Sequence, residues 1–76
     1  MGQKDELLKK FGRHLNALRE REMLTVEDLA AATGFTAQQL RRIEAGEVNI
    51  LFTTVVVLAR GLRITPAELL QPLDPG

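Results

Sequence analysis

The sequence predicts an all-α fold, a compact domain of five short helices. Two observations carry this expectation. Apolar side chains recur at three- and four-residue steps in successive segments, the spacing of one helical face. Three segments open on a threonine with Asp, Gln or Glu three residues later, at Thr25/Asp28, Thr36/Gln39 and Thr65/Glu68. That is the reciprocal capping pattern of a helix N-terminus. Gly34 and Gly46 stand where two of these helices should stop, since glycine takes the left-handed conformation without a Cβ clash.

In the first helix Leu8, Phe11, Leu15 and Leu18 form one stripe toward the core. Lys9, Lys10, Arg13 and Arg21 coat its other faces. The admixture of Asp5, Glu6, Glu20 and Glu22 makes this a solvated surface rather than a basic helix laid on a membrane. His14 lies beside the stripe as a packing-edge residue. No nucleophile–base spacing accompanies it, so catalysis is not expected.

The second helix starts on the Thr25 cap, turns Leu29 and Ala30 inward and ends at Thr33-Gly34. The third starts on Thr36, runs over 37–45 and ends at Gly46. Two helices joined by about three residues with a glycine are the helix-turn-helix signature. At about 100° per residue, Leu40 and Ile43 share one side of the third helix and Gln38 and Arg42 lie opposite. Arg41 and Ala45 flank that outer pair, and Gln39 sits on the other shoulder. Such a face suits a helix laid in the major groove of DNA.

The fourth helix is expected over Phe52 to Leu62. Its run Thr53-Thr54-Val55-Val56-Val57 favours a strand by propensity. Phe52, Val55, Val56, Ala59 and Leu62 nevertheless share a helical face, and packing overrides propensity. The fifth opens on Thr65-Pro66-Ala67-Glu68, with cap, first-position proline and third-position glutamate. Pro72 and Pro75 end it, and the tail 71–76 is expected to be flexible.

Seventy-six residues make one domain, 1–76, with the helix-turn-helix at 25–46. There is no cysteine, hence no disulfide and no thiolate metal site. No apolar run reaches the ~20 residues of a membrane span. No signal peptide, cofactor site, metal site or separate ligand domain is expected, and a cytoplasmic location fits. Net charge is zero, unusual for a nucleic-acid binder. The charge is unevenly spread. Residues 1–22 and 36–63 each carry a surplus of two positive charges, and residues 23–35 and 64–76 each carry two acids and no base.

From Phe11 to Leu70, about four fifths of the chain, the sequence resembles the Cro and lambda-repressor-like helix-turn-helix family, also called the xenobiotic-response-element family. The matching residues are Leu18-Arg19-Glu20, Thr25, Leu29-Ala30, Gly34, Thr36, Leu40, Ile43-Glu44, Gly46, Asn49, Leu58-Ala59, Leu62 and Glu68-Leu69-Leu70. So many fixed spacings in one short chain are far more specific than a lone motif.

The resemblance implies a non-enzymatic transcription regulator bound to double-stranded DNA. Bases would be read by Ala37, Gln38 and Arg42, with Gln39 and Arg41 at the edges. Gln38 can bond an adenine edge and Arg42 a guanine edge, each through two atoms. Ala37 offers a methyl. Phosphate contacts would fall to Thr25, Thr36, Asn49, Thr53, Thr54 and the first-turn N–H groups of the second helix. Arg19 and Glu44 would form a structural ion pair between the first and third helices, an arginine fork fixing one helix on another.

Val26, Ala45 and Val48 replace residues that in the family often touch DNA, and Glu47 adds a repelling charge. These departures imply weaker electrostatic anchoring and more reliance on dimerisation. Val57, pointing away from the core face, with Leu70 and Leu73 forms a candidate homodimer patch. Autoregulator, restriction–modification controller, antitoxin-like repressor and phage-type switch all remain open. The alternative from another class is a protein-interaction module of the same fold with weak or no DNA reading.

Overall fold

The computed structural model describes residues 2–73. Five helices follow in order: α1 Gln3–Arg21, α2 Val26–Thr33, α3 Ala37–Glu44, α4 Phe52–Leu62 and α5 Pro66–Leu70. A 3-10 turn over Gln71–Leu73 closes the described chain, and there is no strand among the described residues. The β-branched run of α4 is helical because its buried neighbours, not its propensity, decide its conformation.

The three expected helix starts rest on reciprocal bonds. Thr25 Oγ1 accepts from the Asp28 N–H at 3.0 Å, and Asp28 Oδ2 accepts from the Thr25 N–H at 2.9 Å. Thr36 and Gln39 repeat this at 3.0 and 2.8 Å, and Thr65 and Glu68 at 3.1 and 3.3 Å. The Thr25 backbone N–H, then its hydroxyl, hold the Asp28 carboxyl below the usual carboxylate range. A depressed carboxyl stabilises the fold above the ordinary aspartate range and loses that contribution as the pH falls through its folded value.

The helix ends are less uniform. Gly34, at φ 83°, donates its N–H to the Ala30 carbonyl at 2.9 Å. Gly46 follows α3 at φ 74°, and the Glu47 N–H reaches back to the Arg42 carbonyl at 3.0 Å. α1 and α4 stop in the same left-handed way without glycine, on Met23 and Arg63, both at φ 60°. There the Leu24 N–H bonds the Arg19 carbonyl at 3.0 Å, and the Ile64 N–H bonds the Ala59 carbonyl at 2.9 Å. The closing bonds offset the strain that a side chain brings to this conformation.

The core is one cluster. Phe11, Leu15 and Leu18 of α1 meet Leu29 of α2, Leu40 and Ile43 of α3, four residues of α4 and Leu69 of α5. Leu8 is half-buried at the edge. The core stripe of α4 is Val55, Leu58, Ala59 and Leu62. The face drawn through Phe52 and Val56 is therefore corrected. Phe52 is 76% exposed and Val56 half-buried, while Leu58 is fully buried. The cause is rotation by part of a turn: the stripe 55/58/59/62 follows the three-and-four step, and Phe52 overhangs the rim of the domain.

α1 packs on α3, α5 and the 3-10 turn; α2 packs on α3 and α4. Residues 71–73, expected in a flexible tail, form the 3-10 turn, and Leu73 packs against the core from it. The rest of that expectation, 74–76, lies outside the described residues. His14 Nε2 lies 2.9 Å from the Glu68 carbonyl oxygen, tying α1 to α5.

Of the described glycines, Gly12, in the middle of α1, leaves the least room for a side chain. A Cβ there would stand 2.7 Å from the Ile43 carbonyl oxygen and nearer still to that of Glu44. Only a hydrogen-sized side chain lets the end of α3 lie this close to α1.

Candidate nucleic-acid interface

α3 is held from behind and bare in front. Leu40 and Ile43 are buried, while Gln38, Gln39, Arg41 and Arg42 are exposed and Ala37 is half-buried. The helix is amphipathic because its two apolar residues sit three apart between polar ones. Its C-terminal end is fastened to α1. Arg19 donates from Nε to Glu44 Oε2 at 2.8 Å and from Nη2 to Glu44 Oε1 at 3.2 Å. Arg19 Nη1 also donates to the Leu24 carbonyl at 2.8 Å, and Asn16 Nδ2 donates to Glu44 Oε1 at 2.9 Å.

This cluster is nearly dry, with the Arg19 and Glu44 side chains 10% and 11% exposed. The Glu44 hydrogen bonds raise the pKa of Arg19 further, against the opposing effect of burial. The forked contact fixes both position and tilt of α3, because two parallel bonds resist rotation where one would not. Asn16 as a third partner and the Leu24 carbonyl leave no local sequence signal. Asn16, one turn before Arg19 on α1, reaches Glu44 across the helix contact, and the Leu24 carbonyl, five residues after Arg19, accepts from its guanidinium.

The expected phosphate contacts divide into three settings. Thr25 and Thr36 use their oxygens as caps, which leaves each hydroxyl proton free to be donated outward. Gln39 spends its amide oxygen on the Thr36 N–H, so its amide N–H₂ remains for a ligand. Asn49 and Thr54 converge with Gln39 and Arg42 around one recess of about 270 Å³, floored by Phe35, Ile43 and Val48. Thr53 is exposed on the first turn of α4 and does not line that recess.

Two acidic residues stand among these groups. Glu27 Oε2, on the first turn of α2, accepts from Arg41 Nη2 at 2.8 Å. Glu47 Oε1 lies 3.8 Å from Arg42 Nε. By sequence Glu47 is only a repelling charge, and Glu27, fourteen residues from Arg41 and on another helix, carries no signal of this contact.

The candidate dimer residues Val57, Leu70 and Leu73 are all half-buried. Leu70 and Leu73 pack partly on their own core. They also line an apolar recess with Leu7, Leu51 and Phe52, three of the large hydrophobic side chains left exposed. Leu7, Leu51 and Phe52 were not foreseen as a patch, because they come from two separate segments.

Among the described residues no cluster of His, Asp and Glu could hold a metal ion, and no helix is long and apolar enough to cross a membrane.

The family model described as a helix-turn-helix domain matches residues 10–71. The chain belongs to the Cro and lambda-repressor-like helix-turn-helix family. It is 33% identical over 69 residues to the uncharacterized HTH-type transcriptional regulator y4dJ of Sinorhizobium fredii, covering 91% of this chain and 90% of that protein. Among solved structures it is similar to the restriction-modification controller protein C.AhdI of Aeromonas hydrophila. Identity there is 35%, the TM-score 0.79, and coverage 82% of this chain and 94% of that one. An HTH_3 family transcriptional regulator from Vibrio cholerae has a TM-score of 0.86 at 23% identity, over 93% of this chain and 41% of its own. The last likeness concerns the fold alone.

Proposed function

We propose that this helix-turn-helix protein is a sequence-specific, non-enzymatic regulator of transcription that reads the major groove with α3 as a homodimer on a pseudopalindromic operator. The observation that carries the reading is the exposed pair Gln38 and Arg42 on the free face of a helix whose position is fixed by Leu40, Ile43 and the Glu44 lock. Ala37, Gln39 and Arg41 flank that pair. Thr25, Thr36, Asn49, Thr53 and Thr54 supply hydroxyl and amide donors to phosphates on either side. A cytoplasmic location is part of the same reading. Among regulatory roles, a restriction–modification controller is favoured by the likeness to C.AhdI, which covers most of both chains.

Selection from random duplexes followed by mobility shift tests it. Arg42→Ala is expected to weaken operator binding by about 1–3 kcal/mol and to relax preference at one base position per half-site. Gln38→Ala should act likewise at a neighbouring position. Parent-like binding by both variants would place base recognition elsewhere on the protein, and a parent that selects and binds no duplex would favour a protein-interaction module.

The homodimer answers a geometric need, since one such domain reads few base pairs and two-fold partners set recognition helices about 34–36 Å apart. The apolar recess beside Leu51 and Phe52, with Leu70 and Leu73 in its wall, supports the dimer surface. Val57 is the candidate farther along α4. Sedimentation at tens of micromolar should show a dimer. Phe52→Glu should shift it to monomer without loss of helical circular dichroism; Val57→Glu reports on the other candidate. A parent monomeric both free and on DNA removes the homodimer.

A further inference from the structure

We infer that Glu27 and Glu47 are intramolecular phosphate mimics that hold the recognition arginines when no operator is bound and keep binding to unrelated DNA weak. The inference rests on the DNA-reading function proposed above.

Both arginines of the exposed face of α3 have a carboxylate beside them. Arg41 bonds Glu27 at 2.8 Å, and Arg42 lies 3.8 Å from Glu47. The carboxylates come from opposite flanks. Glu27 stands on the first turn of α2, whose open N–H groups are placed for a phosphate, and Glu47 lies in the loop after α3. All four side chains are more than half exposed, between 56% and 67%. Exposed ion pairs contribute little to a fold. These two pairs therefore have no large structural effect to explain them, in contrast to the dry Arg19–Glu44 pair.

Their effect falls on the ligand. Binding to unrelated duplex draws its affinity from cations that displace counterions from phosphates. An arginine already neutralised by a carboxylate exchanges one anionic oxygen partner for another and gains little. At an operator the exchange is different, because a guanine edge offers Arg42 a two-atom contact that a carboxylate or a phosphate elsewhere does not discriminate. The acids thus impose the same cost on every complex that draws the arginines from their pairs, and only contacts as strong as those to an operator's bases outweigh it. They also account for a DNA-binding face on a chain of zero net charge.

The test uses Glu27→Gln, Glu47→Gln and the double variant, with Glu22→Gln as a control that matches the charge change of either single variant. Glu22 pairs with Arg21 at 3.4 Å and lines a recess with the end of α4, away from α3. Binding is titrated on the selected operator and on an unrelated duplex of equal length, across a salt series. For the double variant, the slope of log K against log salt on unrelated duplex should steepen by roughly one to two, and affinity at about 0.1 M salt should rise roughly tenfold or more. Operator affinity should rise at least as much, because the operator complex draws both arginines out of their pairs and the double variant no longer bears the cost of breaking them. The Glu22→Gln control should change neither the slope nor the affinity on unrelated duplex.

A double variant with the parent's slope and affinity on unrelated duplex overturns the inference while leaving DNA reading intact. A Glu27→Gln variant that loses operator affinity also overturns it, since Glu27 would then be positioning Arg41. A parent that binds no duplex removes the functional reading and this inference together.

Discussion

Glu44→Ala is expected to destabilise the protein by about 3–5 kcal/mol, the range for breaking one partner of a buried ion pair. A chain of this length has about 4–11 kcal/mol in all, so the loss is a large fraction. Removing the carboxylate strips the acceptors from Arg19 Nε, Arg19 Nη2 and Asn16 Nδ2 together. The guanidinium keeps only the Leu24 carbonyl, and its residue is 8% exposed, so water does not readily replace what was lost. Glu47→Ala is the comparison. Its side chain is 61% exposed and 3.8 Å from Arg42, so its effect should stay within about 0.5 kcal/mol. Urea unfolding of both variants is the measurement. Equal small effects would mean that the pair does not hold α3 in solution.

Gly12→Ala should cost at least about 2 kcal/mol, although alanine is the better helix former by about 1 kcal/mol. The added methyl meets the carbonyl oxygens of Ile43 and Glu44, which are backbone atoms and cannot rotate away. α3 must then lift from α1, and lifting its end pulls Glu44 off Arg19, so the two losses are coupled. Gly34→Ala separates space from strain. Nothing lies within 4 Å of a Cβ there, and only the left-handed backbone, at φ 83°, is penalised, by about 1–2 kcal/mol. Thermal unfolding and operator binding should both suffer in Gly12→Ala. A variant as stable as the parent would show that the helices are not in backbone contact.

The parts of the fold legible in the sequence are those decided within a few residues. Each threonine cap and its partner three positions on are joined by bonds inside one helical turn, so the starts of α2, α3 and α5 could be read directly. The amphipathic face of α3 was legible for the same reason, being set by its own periodicity. Phe52 was misplaced because periodicity gives a face but not where the domain ends beneath it. The stops at Met23 and Arg63 were invisible to a search for glycine, since the closing bonds that hold them involve carbonyls chosen by the path of the chain.

The candidate site divides the same way. Gln38 and Arg42 were identified from their own helix. Asn49 and Thr54 were named beside them through the family resemblance, but Glu27 was not, because it reaches Arg41 only through the packing of α2 on α3. By itself the sequence determined that the chain is five helices with a turn at Gly34 and a polar outer face on the third, because capping and helical period are local. The tertiary structure alone decided that α3 lies in backbone contact with Gly12, that a dry four-group cluster sets its tilt, and that carboxylates attend both outward arginines. Those are contacts between residues distant along the chain, and only close packing chooses among them.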